Sequence, residues 1–286
     1  MKLIKVFIQS NIYIALAAVF LTVATQLQLG SNPQWHPYLF LIFFATLFEY
    51  NLHRLITVIT NKEALQDPKH KWVNNNLPAF YFIVAVSVIG FVIAVLLAKN
   101  TVLITLIPIA LITLFYSTPL TNKSKGLFRL RQIPFLKIFL IAFVWSTITI
   151  LLPVIHSGIS ILHTHVLSML VERFLFVFAI TLPFDVRDID ADKQEGLQTI
   201  PLHIGENNAM RLANFSLGLC FGICLVHYIY TQQWFIIPAI CISVISTFIF
   251  LKNKYLKTLP LYHYGILDGT MLLQGLLVLL FYYLCS

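Results

Sequence analysis

Residues 77–97 read Leu-Pro-Ala-Phe-Tyr-Phe-Ile-Val-Ala-Val-Ser-Val-Ile-Gly-Phe-Val-Ile-Ala-Val-Leu-Leu, with no charged side chain anywhere in the run. About 20 predominantly apolar residues are what a helix needs to cross the hydrocarbon core of a bilayer. The stretch has that length and is apolar on every face. A helix packed on one side of a soluble core would show a polar face instead.

Eight further stretches of similar character lie at approximately 7–29, 38–59, 102–118, 133–154, 166–184, 207–230, 234–251 and 264–284. The composition agrees: 59% of residues are apolar and only 10% are charged, against roughly 25% charged in a soluble domain. Mean hydropathy is +0.85. No soluble core buries that much apolar surface, so the solvent is lipid. The fold class expected is all-α: a bundle of nine transmembrane helices in a single membrane domain, residues 1–286. No cleavable signal peptide is expected, because no A-x-A-type site follows the first apolar run.

Loop charges test the count. With the N-terminus placed in the cytoplasm, all but three of the 19 Lys and Arg residues fall in inner segments; Lys99 is outer, and Lys137 and Arg173 lie within spans. This is the positive-inside pattern for nine spans with the C-terminus outside. It also accounts for the excess of 19 basic over 11 acidic residues without nucleic-acid binding, which needs a basic face on a soluble surface. The four cysteines all lie in apolar segments and read as packing residues. A multi-pass protein of the cell inner (plasma) membrane is expected.

Three segments are roomy and polar, 54–76, 119–131 and 185–207, and all three fall on the inner face. The last begins Asp185-Val-Arg-Asp188-Ile-Asp190-Ala-Asp192-Lys-Gln-Glu195-Gly196-Leu-Gln-Thr199-Ile-Pro201-Leu-His-Ile-Gly205 and holds five of the 11 carboxylates. Asp185, Asp188 and Asp192 share one face if the sixth helix continues past the bilayer. Three like charges there repel, and a divalent cation such as Mg²⁺ offsets them. Asp190 points elsewhere, toward Arg187 or water. A solvated acidic loop is the plain alternative.

The stretch 188–205 resembles the second aspartate-rich motif of UbiA-type membrane prenyltransferases, D-x-x-D-x-x-x-D with G, T, P and G following. Tyr116-Ser117-Thr-Pro119-Leu and the basic run to Arg131 are similar to that family's Y-S-x-P segment and basic inner loop. The resemblance implies an enzyme that moves a polyprenyl group from its diphosphate to a lipid-soluble acceptor, such as a quinone precursor, with Mg²⁺ on the diphosphate. The substrates and the surrounding membrane lipids would be its partners. Catalytic roles would fall to Asp185, Asp188, Asp192 and Asn51, with the three aspartates as metal ligands.

One departure is plain. The family's first motif, N-D-x-x-D-x-x-x-D, would sit where this chain reads Asn51-Leu52-His53-Arg54-Leu55, and Leu52, Leu55 and Ile59 stand in the carboxylate positions. Arg54, with Lys123 or Arg131 from the facing loop, would then take the diphosphate charge, unless Arg54 merely reaches to lipid headgroups. Asn11, Glu49, Lys137 and Asp268 fall at similar depth on four spans and would line a cavity; Lys137 alternatively pairs with Glu49 or Asp268. Asn11, Arg54, Tyr116, Lys123, Arg131, Lys137 and Asp268 are the expected substrate-binding residues. Glu172 and Arg173 read as an ion pair nearer the outer face. His156, His163 and His165 share an outer loop without a carboxylate or Cys to complete a metal site. Two other readings stand beside the enzyme: an altered relative that binds isoprenoid or diphosphate lipids without turnover, and a small-lipid transporter. The transporter would call for inverted repeats and broken helices at the midplane; no repeat is visible, and the polar residues cluster at one face.

Overall fold

The computed structural model describes residues 2–60, 68–117 and 133–285, with side chains described for 4–58, 72–113, 115 and 133–285. Among these residues the fold is all-helical, as expected. In chain order the helices are α1 (Lys2–Gln9), α2 (Ile12–Gln28), α3 (Pro37–Thr60), α4 (Pro68–Asn75), α5 (Leu77–Leu97), α6 (Asn100–Ser117), α7 (Leu136–His156), α8 (Thr164–Arg187), α9 (Ile189–Gln194), α10 (Ile200–Ile204), α11 (Glu206–Tyr230), α12 (Ile236–Lys252), α13 (Lys254–Lys257) and α14 (Asp268–Cys285). A π-helical turn, Tyr262–Leu267, leads into α14.

Among the described residues, six helical segments are long and apolar enough to cross a membrane: Pro37–Val58, Leu77–Leu97, Leu136–His156, Thr164–Arg187, Glu206–Tyr230 and Tyr262–Cys285. Ile12–Gln28, Asn100–Thr113 and Ile236–Lys252 are apolar but shorter. Six of the nine expected spans fall on the long segments and the other three on the shorter helices. The first expected span is divided, however. Its inner end is the separate helix α1, and Asn11 takes a left-handed backbone (φ 64°) at the break.

Helix α8 is the centre of the bundle, with 61% of its apolar window buried against 17% for α5. Phe176, Val177, Ala179, Ile180 and Leu182 of α8 are essentially inaccessible, and the helix packs along α7 and α11. Phe82, Ile89 and Leu96 of α5 recur every seven residues and are exposed, which is the pattern of a lipid-facing stripe. Two helix pairs close tightly at glycine. A Cβ on Gly275 of α14 would come within 2.6 Å of the Phe20 backbone in α2, and one on Gly90 of α5 within 2.5 Å of the Phe44 ring in α3.

Polar contacts fix which helix ends lie together. At one end the C-terminal turn of α2 meets α11 through Gln28 Nε2, which donates to the Tyr228 hydroxyl at 2.6 Å. His165 at the start of α8 meets His227 near the end of α11, with their ring nitrogens 2.6 Å apart. At the other end the start of α2 meets the turn before α14, where the Tyr13 hydroxyl donates to the Gly265 carbonyl at 3.0 Å. The start of α2 and the end of α8 therefore share one end of the bundle. The end of α3 joins them, because Asn11 and Asn51 are hydrogen-bonded.

Candidate functional site

The site is built where α7 begins and α8 ends. Pro183 lies inside α8, two residues before Asp185, and removes one backbone donor from the last turns. The helix stops at Arg187. Asp188 forms the joint (φ −92°, ψ 9°), and the short helix α9 follows. Gly196 then turns the chain with φ +70°, a conformation that glycine enters without steric cost. The returning strand of loop is held to the start of α7: the Phe135 N–H donates to the Gln198 carbonyl at 2.8 Å. That bond sets Lys137, in the first turn of α7, beside the acidic segment.

The Lys137 ammonium lies 2.9 Å from Asp185 Oδ1 and 3.0 Å from Asp192 Oδ2, with Asp192 Oδ1 at 3.1 Å. Both aspartates are buried, at 3% and 5% exposure, so the pairing is formed in a medium where opposite charges attract far more strongly than in water. Burial pushes the Asp192 carboxyl above its ordinary value, and Lys137 pulls it back. Asp185 Oδ2 is buried with no hydrogen-bond partner. A group so placed is open to a donor from ordered water or from a ligand. Thr199 Oγ1, on the same loop, is also buried and without a partner.

Asp188 does not join them. Its carboxylate is held bidentately by Arg187, Nε to Oδ1 at 2.7 Å and Nη2 to Oδ2 at 2.9 Å. The Arg187 guanidinium also lies over the Tyr264 ring at 4.9 Å and the Phe184 ring at 5.3 Å. So the partner expected for Asp190 serves Asp188, and the three expected ligands do not converge: Asp185 and Asp192 meet at Lys137 across the joint, while Asp188 turns to Arg187. Among the described residues no three His, Cys, Asp or Glu side chains gather closely enough to hold a metal. The three-carboxylate Mg²⁺ cage does not fit this arrangement. The place between Asp185 and Asp192 that a shared cation would take is filled by Lys137 Nζ, and the third ligand faces its own arginine.

A second polar group forms around the break between α1 and α2. Asn11 Nδ2 donates to Asn51 Oδ1 at 2.9 Å. Asn51 Nδ2 donates to the Ser10 carbonyl at 3.1 Å and to the Leu47 carbonyl at 2.7 Å. Arg54 donates to the Gln9 carbonyl and to Asn11 Oδ1. It is 5% exposed, so it does not reach outward to headgroups. Leu55, in a lost carboxylate position, is core: with Val58 it packs on Val73 and Phe80. Asp268 heads α14 next to Gly269, whose Cβ, if it had one, would lie 2.2 Å from the Tyr13 hydroxyl. The Tyr116 side chain, Lys123 and Arg131 lie outside the described residues. An apolar groove of about 360 Å³ opens at the same end of the bundle, lined by Phe7, Ile8, Tyr13, Leu261, Gly265 and Ile266 among others.

The opposite end carries a network whose partners differ from the expected ion pair. Glu172 turns to His227 Nδ1 at 2.5 Å and to the Tyr228 hydroxyl at 3.0 Å. Arg173 donates to the Leu21 carbonyl, Thr149 Oγ1 and Gln28 Oε1. His165 joins through His227 rather than through His156 or His163. The polar letters Gln28, Glu172, Arg173 and His227 inside apolar runs were the available signal for this network. The π-helical turn had none.

Two comparisons bear on identity. The structure aligns with a UbiA homolog from Aeropyrum pernix K1 at a TM-score of 0.65 and 13% identity, over 93% of this chain and 97% of that one. A UbiA homolog from Archaeoglobus fulgidus aligns at 0.58 and 15% identity, over 93% and 96%. A digeranylgeranylglyceryl phosphate synthase aligns at 0.53 and 15%, over 99% and 98%. These likenesses show the fold. No protein of curated function matches the sequence. Residues 75–259 match the sequence profile of the UbiA prenyltransferase family, a span that includes the whole acidic segment and begins after Asn51. With well over half of its length so matched, this multi-pass membrane protein belongs to the UbiA prenyltransferase family.

Proposed function

We propose that the protein transfers a prenyl group from its diphosphate to a lipid-soluble acceptor, with the reacting end at the Lys137–Asp185–Asp192 cluster. The observation that supports this most is the buried cluster itself: an ammonium and two carboxylates, one with an unpartnered oxygen, at the end of a membrane bundle. Ionisable groups inside a membrane are costly and are kept for function by default. Breaking the allylic C–O bond puts negative charge on the departing diphosphate. A preorganised cation near that charge lowers the barrier because it needs no reorganisation as the bond breaks. Lys137 is the group with that character. Asp185 and Asp192 position it and keep it charged, and Asp185 Oδ2 accepts a hydrogen bond from the acceptor. The apolar groove beside Tyr13 takes an apolar chain.

In this reading nine spans cross the cell's inner membrane, with the N-terminus and the cluster on the cytoplasmic side and the C-terminus outside. The basic inner segments supply the long-range attraction for the diphosphate.

One observation favours a second reading, a relative that binds prenyl lipids without turnover. Leu55 is packed into an apolar cluster where the family's first motif would present a carboxylate. Purified protein, given labelled prenyl diphosphates of several lengths and a lipid extract as acceptor, separates the two. Label moving into extract lipid, and failing to do so with Asp185→Asn, supports transfer. Tight binding with label left on the diphosphate at every length leaves the binding protein.

A further inference from the structure

The family-type site at the acidic segment calls for a divalent cation shared between carboxylates, and the chain has a side-chain cation in that place. Lys137 Nζ bridges Asp185 and Asp192 at 2.9 and 3.0 Å, and Arg187 holds Asp188 with two hydrogen bonds. We infer that Lys137 is a tethered replacement for the shared metal ion, so that this segment works with an ammonium where its relatives' chemistry calls for Mg²⁺.

Three features support the replacement. The ammonium is anchored by the backbone, since the Phe135–Gln198 hydrogen bond fixes the first turn of α7 against the loop that follows Asp192. Its position is central: it contacts one oxygen of Asp185 and both oxygens of Asp192, as a bridging cation does. The loss is also coordinated with the opposing helix. Leu52 and Leu55 replace carboxylates on α3, and Leu55 is buried among Val58, Val73 and Phe80. A site without metals has no use for those ligands. One charge differs, since an ammonium brings +1 and Mg²⁺ brings +2. The cluster is therefore one unit more negative than a metal-bound pair would be, and the diphosphate depends more on surrounding basic groups.

The inference rests on reading this end of the bundle as the diphosphate site, but it can be tested apart from that reading. The detergent-solubilised full chain is titrated with Mn²⁺, a paramagnetic stand-in for Mg²⁺, and bound metal is read by electron paramagnetic resonance without any prenyl diphosphate. Wild type is expected to take up no Mn²⁺ that depends on Asp192. Lys137→Met keeps the apolar stem and removes the charge; it should bind one Mn²⁺ at least about tenfold more tightly than wild type, because a cation some 3–4 Å away no longer repels the metal. That site should vanish in Lys137→Met with Asp192→Asn, and Lys137→Arg should behave as wild type. Geranylgeranyl diphosphate binding to wild type should then be the same in EDTA and in excess Mg²⁺.

Wild-type Mn²⁺ uptake that Asp192→Asn abolishes would overturn the inference, and this arm needs no Lys137 variant to fold. Failure of Lys137→Met, once folded, to gain a site would overturn it as well. A result in which the Mn²⁺ pattern holds but no prenyl diphosphate binds in either condition would sustain the replacement and sink the diphosphate reading.

Discussion

Lys137 in the first turn of α7 and Asp185 in the last turn of α8 face each other at 2.9 Å, so the two helices at the core of the bundle are joined by charge at one end. Twelve residues further along α7 they are joined again, by the Arg173 hydrogen bond to Thr149 Oγ1 at 3.3 Å. Two separate polar contacts thus tie the pair together. These are the places where substitution should separate structure from chemistry.

The break between α1 and α2 gives the first prediction. Asn11 has φ 64°, and its side chain both donates to Asn51 and accepts from Arg54. Asn11→Gly and Asn11→Ala lose the same hydrogen bonds, but alanine must also enter the left-handed region at a cost of about 1 kcal/mol. Thermal unfolding in detergent should rank wild type above Gly and Gly above Ala. Equal melting of the two variants would mean that the break does not persist in solution.

The remote network gives the second. Glu172→Ala leaves His227 Nδ1 and the Tyr228 hydroxyl without their acceptor in a buried setting. It should lower the unfolding free energy by about 1–3 kcal/mol. Tyr228→Phe removes the hydroxyl that donates to Glu172 and accepts from Gln28 and should cost about 1–2 kcal/mol. An unchanged melting temperature in Glu172→Ala would show that water fills the gap.

Helix contacts give the third. Gly275→Ala drives a methyl into the Phe20 backbone at 2.6 Å and should cost about 1–3 kcal/mol through overpacking. Gly218 in α11 has open space around its Cβ position. Gly218→Ala should be neutral or stabilising by up to about 1 kcal/mol. Reversal of that order would contradict the packing of α2 on α14.

A fourth prediction concerns pH. His36, just before α3, packs against His156 with ring centroids 4.2 Å apart and the rings tilted by 40°. Burial first, and then the Lys99 charge, hold its imidazole below the ordinary 6.5. The unfolded chain takes up that proton more readily than the folded one. The stability His36 contributes is therefore present above 6.5 and lost as pH falls from there through the folded value. A histidine NMR titration should give His36 a midpoint below 6.5, and Lys99→Gln should raise it. A midpoint at or above 6.5 in wild type would contradict this placement.

The apolar runs carried the fold well: all-α class and the positions of the long helices are legible from hydropathy, because lipid admits little else. The acidic segment stands out as a candidate site from its letters. Its geometry was not legible there. The helix stops at Arg187, where periodicity ceases to apply; Asp185 and Asp192 still meet, at Lys137, but Asp188 is taken by Arg187. The partner of Lys137 was equally hidden, since it depends on the Phe135–Gln198 bond across more than sixty residues of sequence. Arg54 looked like a cation awaiting a phosphate. Its donation to Gln9 and Asn11 follows from the α1–α2 break, which falls at the polar run Gln9-Ser10-Asn11 inside an otherwise apolar stretch.

The most direct test is the rate of diphosphate release from a labelled prenyl diphosphate by wild type and by Lys137→Met, both shown to be folded, in the presence of lipid acceptor and EDTA. Turnover by wild type is expected, with a loss of about 10²–10³-fold in Lys137→Met, the usual effect of removing one group that stabilises developing negative charge. Equal rates in the two proteins, or release by wild type only when Mg²⁺ is restored, would contradict the role assigned to Lys137.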